Sequence, residues 1–201
     1  MASNDIGPTA KAHWRRFAMA FPDAKPLSPL YESKNGFVAF ESAFCCLPIN
    51  RTSFCPGLSD FRHSPPWQDD LQSPAHAGLV FATNGIGEIF VMKQSKVLHV
   101  DLTAEDILSQ WSDLESFCLD ILSDYKLHTG YSLIQSWQAE NGTLPIGSVL
   151  FPKTPFVLGG EYCSTNLIRR PLLYAVQFNY DLGRQLRGLK DGDSVEMKVI
   201  P

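Results

Sequence analysis

The sequence has 201 residues, of which 44% are hydrophobic and 19% are charged. These proportions are typical of a globular chain with a packed core, and they exclude a mainly disordered protein. The 21 acidic and 17 basic side chains leave a net charge of −4. Binding of nucleic acid or of an anionic membrane depends on clustered basic residues, so the charge argues against both kinds of partner.

No stretch of the sequence has the features of a secretion signal or of a membrane span. Arg15 and Arg16 interrupt the one apolar run near the N-terminus, and no other run approaches the roughly 18 residues that a span requires. The cysteines are odd in number and form no CxxC motif, which favours reduced thiols in a cytoplasmic protein. They are Cys45, Cys46, Cys55, Cys118 and Cys163.

The first part of the chain predicts a helix, a strand and a loop. Apolar residues at three- and four-residue spacing predict a short helix over 9–21. The segment 35–48 opens with an Asn-Gly pair and continues as an apolar, aromatic run, which favours a strand. Residues 49–76 are polar and rich in proline, and we predict a long surface loop there.

The middle of the chain predicts an antiparallel meander. Apolar runs at 78–82 and 88–92 flank the pair Asn84-Gly85, and a third apolar run at 97–100 follows the polar sequence KQS. Asn and Gly tolerate the positive φ angles of tight hairpin turns. We therefore predict three consecutive antiparallel strands.

The pattern then changes to a helical period, and we predict one helix over 103–124. Thr103 followed by Asp106 resembles a capping box, and apolar residues recur at helical spacing as far as Leu122. On such a helix four carboxylates fall on the side opposite the apolar face and form an acidic stripe. They are Asp106, Asp113, Asp120 and Asp124.

The remaining residues predict a second helix over 129–140, a helical stretch near 178–188, and a closing strand over 195–199 in which apolar and charged residues alternate. Strands followed by helices and a late strand indicate an α+β fold, with a largely antiparallel (mixed) β-sheet meander and helices packed on one face. We predict a single domain over 1–201, with a core at 35–125 and a C-terminal helical and strand extension at 126–201.

The glycine pairs do not match a nucleotide-binding motif. Gly159-Gly160-Glu161 lacks the Lys-Ser/Thr that completes a P-loop, and no helix is predicted after it. The GxG of residues 85–87 lies between two predicted strands, where a hairpin or bulge explains it better than a dinucleotide site. We predict that both pairs are structural and that the chain binds no cofactor.

The sequence contains no recognisable catalytic or metal-binding motif. The five histidines include no HxH, HxxxH or HExxH spacing, and a buried hydrophobic role suits Cys45-Cys46 better than zinc ligation. No GxSxG motif or protease-like cysteine context is present. We predict that the chain is not an enzyme, although an approach of Cys55 to His63 in the folded protein stays open.

Two interpretations of the acidic stripe also stay open. Carboxylates on the outer face of an amphipathic helix are usually solvated and have no further role. Alternatively, the stripe binds a basic partner, because complementary charge accelerates association and selects the partner.

Several segments together resemble the SUKH superfamily of immunity and binding proteins. The likeness covers residues 35–190. Its hallmark is a strand, an Asn-Gly turn, a strand that ends in an aromatic residue, a further strand and a helix, and this hallmark corresponds to 81–121. The extension PFVLGGEY resembles one found in a bacterial branch of the superfamily. The quoted sequences are NGFVAFESAFCCLP, FATNGIGEIFVM, VLHVD, ILSQWSDLESFCLDIL and PKTPFVLGGEYCSTNL.

The resemblance implies an α+β domain that has no catalytic activity and binds a cognate protein toxin. It also implies that residues 155–158 enter the core, that the glycines after them allow a tight exit, and that Glu161 accepts hydrogen bonds from nearby donors. The motif residues with such structural roles are Asn84, Gly85, Gly87, Pro155, Phe156, Gly159, Gly160 and Glu161.

Three hypotheses for function follow. The first is an immunity protein that neutralises a bacterial toxin, such as a nuclease, by covering its active site with an acidic surface. The second is an adaptor of the same fold that recruits other proteins. The third is a hydrolase that uses Cys55 or the acidic helix, which would require a cleft with perturbed pKa values.

Overall fold

A computed structural model describes residues 8–63, 65–190 and 193. Its main feature is a six-stranded sheet whose strands follow one another in chain order, and every neighbouring pair is antiparallel. The strands are β1 (Phe37–Ala39), β2 (Phe44–Cys46), β3 (Leu79–Asn84), β4 (Ile89–Lys93), β5 (Lys96–Asp101) and β6 (Asp106–Trp111). The predicted α+β class and the predicted meander are confirmed.

The three central strands form the middle of the core. Successive side chains of a strand point to opposite faces of the sheet. All six residues of β3, and all but one or two of those in β4 and β5, are buried. Other parts of the protein therefore cover both faces of these strands. This explains why their sequences contain continuous apolar runs.

The N-terminal helices add a large aromatic contribution to the core. Helix α1 (Pro8–Ala20) agrees with the predicted helix, and a 3-10 turn (Pro22–Leu27) joins it to α2 (Ser28–Ser33). The ring of Trp14 stacks on that of Tyr31 with a centroid separation of 4.6 Å. The hydroxyl of Tyr31 donates to the carbonyl of Leu47 at 2.7 Å, which anchors α2 to the chain just after β2.

The prediction of one helix over 103–124 is wrong. Residues 102–105 form a turn, Asp106–Trp111 is strand β6, and only Leu114–Ser123 is helical, as α4. The apolar spacing of this stretch suits a helix, but hydrogen bonding to the exposed edge of β5 overrides local periodicity. Leu108 is the extra residue at a bulge in this pairing, because His99 pairs with Ser109 and Val100 pairs with Ile107.

The prediction of a surface loop over 49–76 is also wrong, because part of this segment is buried and part is helical. The segment contains α3 (Leu58–His63) and buries several apolar side chains, among them Phe61 and Trp67. The rings of these two residues stack, and the indole of Trp67 meets the ring of Tyr180 edge-on. The segment is irregular in backbone, but its aromatic residues belong to the core.

The C-terminal part forms a second packing unit against the sheet. It consists of α5 (Tyr125–Thr129), α6 (Tyr131–Asn141), the antiparallel pair β7 (Ser148–Pro152) and β8 (Leu167–Pro171), and α7 (Leu172–Leu186). Ile86 and Ala43 of the main sheet's turns join Ile134 and Leu150 in a smaller apolar cluster. The predicted helix over 129–140 is confirmed, α7 begins earlier than the predicted helical stretch, and the predicted strand at 195–199 lies outside the described residues.

Candidate protein-binding surface

The Asn84 turn is built around one buried amide side chain. Asn84 is almost completely buried, and its Oδ1 accepts hydrogen bonds from the backbone N–H groups of Ile86 and Glu88. Its Nδ2 donates to a carboxylate oxygen of Glu88 at 2.5 Å. A Cβ on Gly85 would lie 2.5 Å from the side chain of Ile134, so this position needs glycine for close packing. These contacts make the side chain of Asn84 part of the framework of the turn.

Glu88, which immediately precedes β4, connects this network to His99 on β5. The carboxylate oxygen of Glu88 that Asn84 contacts also lies 2.8 Å from Nε2 of His99. The imidazole of His99 is buried and stacks on the ring of Phe90 at 4.4 Å. Sequence reasoning missed this pair. The signal available was a histidine inside the buried run VLHVD, which requires a polar partner.

A second polar cluster joins β6, α4 and α5. Nε1 of Trp111 donates to Oδ2 of Asp120 at 2.8 Å, and Nε2 of His128 lies 3.2 Å from the same oxygen. The ring of His128 packs edge-on against Trp111 and is buried. Asp120 remains half-exposed on the other side. One carboxylate therefore holds three consecutive elements together and is still accessible to solvent.

The four predicted partner-binding carboxylates do not form a stripe on one helix. Asp106 begins β6, and Asp113 precedes α4 and caps it by accepting a hydrogen bond from the Ser116 N–H at 2.8 Å. Asp124 lies between α4 and α5 and accepts from the N–H of Leu127. The helical stripe is a wrong prediction, because the segment contains a strand and two short helices. Each of the four still bonds locally and reaches solvent.

The Ser116 N–H and the neighbouring hydroxyl groups lower the pKa of Asp113 below its ordinary value, since these donors stabilise the charged form. A negative charge at this position also suits the N-terminus of α4. Asp113 is thus a stable anion at neutral pH and is unsuited to general acid chemistry.

The same segment exposes large apolar side chains. Leu119 and Leu122 on α4 are 64% and 70% exposed, and Leu127 on α5 is 72% exposed. Ile107 and Leu108 on the edge strand β6 are also exposed. We call residues 106–127, with these five apolar side chains, the 106–127 segment.

The 106–127 segment also carries the net charge of the whole chain. It contains five carboxylates (Asp106, Asp113, Glu115, Asp120 and Asp124) and one basic residue, Lys126. The remainder of the chain has as many basic as acidic residues, so the net charge of −4 comes from this segment. Exposed apolar side chains accompanied by polar ones are a feature of many protein-binding surfaces.

A mainly apolar groove of about 270 Å³ lies beside this segment. Its walls come from the β1–β2 hairpin, through Phe37 and Phe40, and from α4, through Cys118, Ile121 and Leu122. Because Leu122 lines the groove and is also exposed, the groove extends the apolar surface of the 106–127 segment.

The motif PFVLGGEY is a tight turn. Gly159 has a φ of +85°, and a Cβ on Gly160 would lie 1.9 Å from the carbonyl oxygen of Thr154. Asn166 closes the turn by donating to the carbonyls of Thr154 and Glu161. Gly159 and Gly160 thus allow the backbone to turn closely past Thr154. The carboxylate of Glu161 accepts a weak hydrogen bond from the thiol of Cys163, so it has little part in holding the turn.

The prediction that residues 155–158 enter the core is wrong for most of them. Pro155 is buried, Phe156 and Leu158 are half-buried, and Val157 is exposed. A 3-10 turn over Phe156–Leu158 places these side chains on different sides of the backbone. Pro155 and Phe156 do meet the Asn84 turn, because they line one small pocket with Ile86 and Glu88. The Asn84 turn and the start of the PFVLGGEY turn therefore lie together.

The described residues contain no group of three or more His, Cys, Asp or Glu side chains placed to hold a metal ion. The possible approach of Cys55 to His63 involves a histidine side chain outside the described part of the structure. Cys55 is instead next to the thiol of Cys45.

The chain matches no protein-family model and no curated protein. Among solved structures it is similar to Atu4351 from Agrobacterium tumefaciens, with a TM-score of 0.57 and 13% sequence identity. The similarity covers 88% of this chain and 81% of the Agrobacterium protein. At this identity the likeness shows a common fold and nothing of function. Within the described residues, no helix combines the length and the apolar character needed to cross a membrane.

Proposed function

We propose that this chain is an immunity protein that binds a cognate bacterial toxin through the 106–127 segment and blocks the toxin's active site. The observation that carries the proposal is the concentration of the chain's net negative charge and of five exposed apolar side chains in this one segment. The resemblance to the SUKH superfamily supplies the class of partner, and the segment supplies the means of binding.

The two kinds of side chain have different tasks in such a complex. Leu119, Leu122 and Leu127 lose contact with water when a partner covers them, and burial of a leucine side chain contributes about 1.5 to 3 kcal/mol. The carboxylates around them attract a basic surface over a longer distance and accelerate association. A nuclease active site that binds phosphate is basic, so an acidic surface with an apolar centre fits it.

A binding role also agrees with the way that the segment uses its polar groups. Asp113 and Asp124 cap helices, and Asp120 connects Trp111 with His128. These carboxylates have structural partners within the chain that hold them in place. A surface held rigidly in this way loses little conformational entropy when it binds.

Growth rescue tests this function. A candidate toxin domain, chosen from the genes next to that of this chain, is expressed in a bacterial host together with the wild-type chain or with a variant. We expect the wild-type chain to restore growth and the double variant Leu119→Asp/Leu122→Asp to fail. Leu71→Asp is the matched control, because Leu71 is 80% exposed and lies outside the segment.

Equal rescue by the double variant and by the control would remove the 106–127 segment from the proposal. Failure of the wild-type chain to rescue growth, together with capture of a different cellular protein that the double variant does not bind, would favour the adaptor of the same fold.

A further inference from the structure

The thiols of Cys45 and Cys55 face each other across a short distance. Sγ of Cys45 lies 3.7 Å from Sγ of Cys55, and the two form a hydrogen bond. Cys45 is in the middle of β2, and Cys55 lies ten residues further along the chain, between β2 and α3. A disulfide has a sulfur–sulfur distance of about 2.05 Å, so closure requires the two sulfurs to approach by about 1.7 Å.

The backbone on both sides of the pair is fixed. Cys45 is paired with Val38 on one side and with Thr83 on the other, within the sheet. Cys55 is held by Thr52, because the backbone N–H of Cys55 donates to Oγ1 of Thr52 and the N–H of Thr52 donates to the carbonyl of Cys55, each at 2.9 Å. The closeness of the two sulfurs is therefore a property of the fold.

Small molecules have access to the pair. Cys45 and Cys55 both line an open pocket of about 310 Å³, whose other walls include Lys34, Phe37 and Ile146. The other cysteines are arranged differently. Cys46 is buried and donates to the hydroxyl of Tyr31, and Cys163 lies near Thr165.

We infer that Cys45 and Cys55 form an oxidisable dithiol that reacts with a hydroperoxide and closes to an intramolecular disulfide. In the first step the thiolate of Cys55 attacks one peroxide oxygen. The O–O bond breaks, Cys55 becomes a sulfenic acid, and the other oxygen leaves as water or an alcohol after taking up a proton. In the second step the thiol of Cys45 attacks the sulfenic sulfur, the S–S bond forms, and water leaves. The two thiols are oxidised and the peroxide is reduced.

The hydrogen bond between the thiols supports this order of events. When Cys55 is ionised, the thiol of Cys45 donates to the Cys55 thiolate, which holds the pKa of Cys55 below its ordinary value, whereas the same hydrogen bond and burial raise the pKa of Cys45. The thiolate is the reactive form of cysteine, so Cys55 is the first to react and Cys45 resolves the sulfenic acid.

Thiol counting and mass spectrometry of the folded, full-length chain test the inference. Hydrogen peroxide is added in small excess, the reaction is quenched, and free thiols are counted after denaturation. We expect two fewer titratable thiols than the five of the reduced chain, a mass lower by two hydrogen atoms, and one peptide cross-link between Cys45 and Cys55. Dithiothreitol reverses all three changes.

Variants separate the roles of the two residues. Cys45→Ser leaves Cys55 as a sulfenic acid that dimedone traps, whereas Cys55→Ser gives no disulfide and at least tenfold less dimedone adduct. Cys118→Ser and Cys163→Ser are the controls and close the disulfide like the wild-type chain. A cross-link to Cys46, a link between two chains, or no loss of thiols from the folded protein would overturn the inference.

Discussion

Trp111 and Asp120 are nine residues apart and lie on different elements, and the indole N–H of Trp111 donates to the carboxylate of Asp120 at 2.8 Å. His128 reaches the same oxygen from α5. This arrangement fixes β6, α4 and α5 relative to one another. The exposed leucines of the 106–127 segment depend on it for their positions.

Replacement of Asp120 by alanine is expected to destabilise the protein by about 1 to 3 kcal/mol, because it leaves the N–H of Trp111 without its acceptor in a largely buried site. The free energy of unfolding in urea, followed by tryptophan fluorescence, measures the effect.

Asp120→Asn is the matched control, since an amide oxygen still accepts the hydrogen bond, and we expect it to lose less than half as much. Equal losses for the two variants would show that the negative charge, and not the hydrogen bond to Trp111, stabilises this junction.

The turn of the motif PFVLGGEY gives a second prediction. Gly160→Ala would place a Cβ 1.9 Å from the carbonyl oxygen of Thr154, which is backbone and cannot rotate away. We expect a loss of about 1 to 3 kcal/mol in the free energy of unfolding, as is usual for overpacking.

Gly159→Ala is the control in the same turn. Its φ of +85° makes alanine strained, but no atom lies near the new Cβ, so a loss of about 1 kcal/mol is expected. If Gly160→Ala lowered the free energy of unfolding no more than Gly159→Ala does, the close approach to Thr154 would not be the cause of the destabilisation.

The ion pair between Asp70 and Arg187 makes the free energy of unfolding depend on pH. The guanidinium of Arg187 donates to both carboxylate oxygens of Asp70 and lowers the pKa of Asp70 to about 2, compared with an ordinary value of 3.8. A depressed pKa in the folded state contributes stability above the ordinary value, and that contribution is lost as the pH falls from about 4 to about 2.

We therefore expect the Asp70→Asn variant to have a lower free energy of unfolding than the wild type at pH 7. Near pH 2 we expect the two free energies to be similar. Urea denaturation at pH 7, 4 and 2.5 measures this, with the exposed neighbour Asp69→Asn as control. A difference between wild type and Asp70→Asn that stays constant over this range would contradict the assignment to the Asp70 charge.

The proposed binding of a toxin predicts that the carboxylates of the 106–127 segment accelerate association. Glu115→Gln removes one exposed charge from the segment, and we expect the association rate to fall about two- to fivefold at low salt with little change in the dissociation rate. Stopped-flow mixing at 50 and 500 mM NaCl measures both rates and shows which of them depends on the charge, because salt screens the charge. Glu140→Gln, an exposed carboxylate on α6, leaves the association rate unchanged if the effect belongs to the segment. A wild-type rate that does not vary with salt would remove the carboxylates from the binding step.

The meander was predictable because each of its signals is local. The runs that became β3, β4 and β5 are mainly apolar, and the connections between them begin at Asn84-Gly85 or contain the polar residues before Lys96. Consecutive strands joined by short turns pair with one another, so the topology follows from the chain order.

The errors arose where strand pairing or tertiary packing, rather than the local sequence pattern, decides the structure. Asp106–Trp111 fits a helical period, but β5 offers an unpaired edge, and pairing with it converts the segment to a strand. The same error produced the acidic stripe. Trp67 looked like part of a polar loop, because its stacking partners, Phe61 and Tyr180, cannot be recognised from the neighbouring residues.

The most direct test of the proposed binding surface is calorimetric titration of the toxin domain into this chain. We predict that the wild-type chain binds, and that Leu119→Ala/Leu122→Ala weakens the Kd at least thirtyfold, about 2 kcal/mol, while Leu71→Ala binds like the wild type. Unchanged affinity of the double variant, with its fold verified by circular dichroism, would contradict a surface centred on α4.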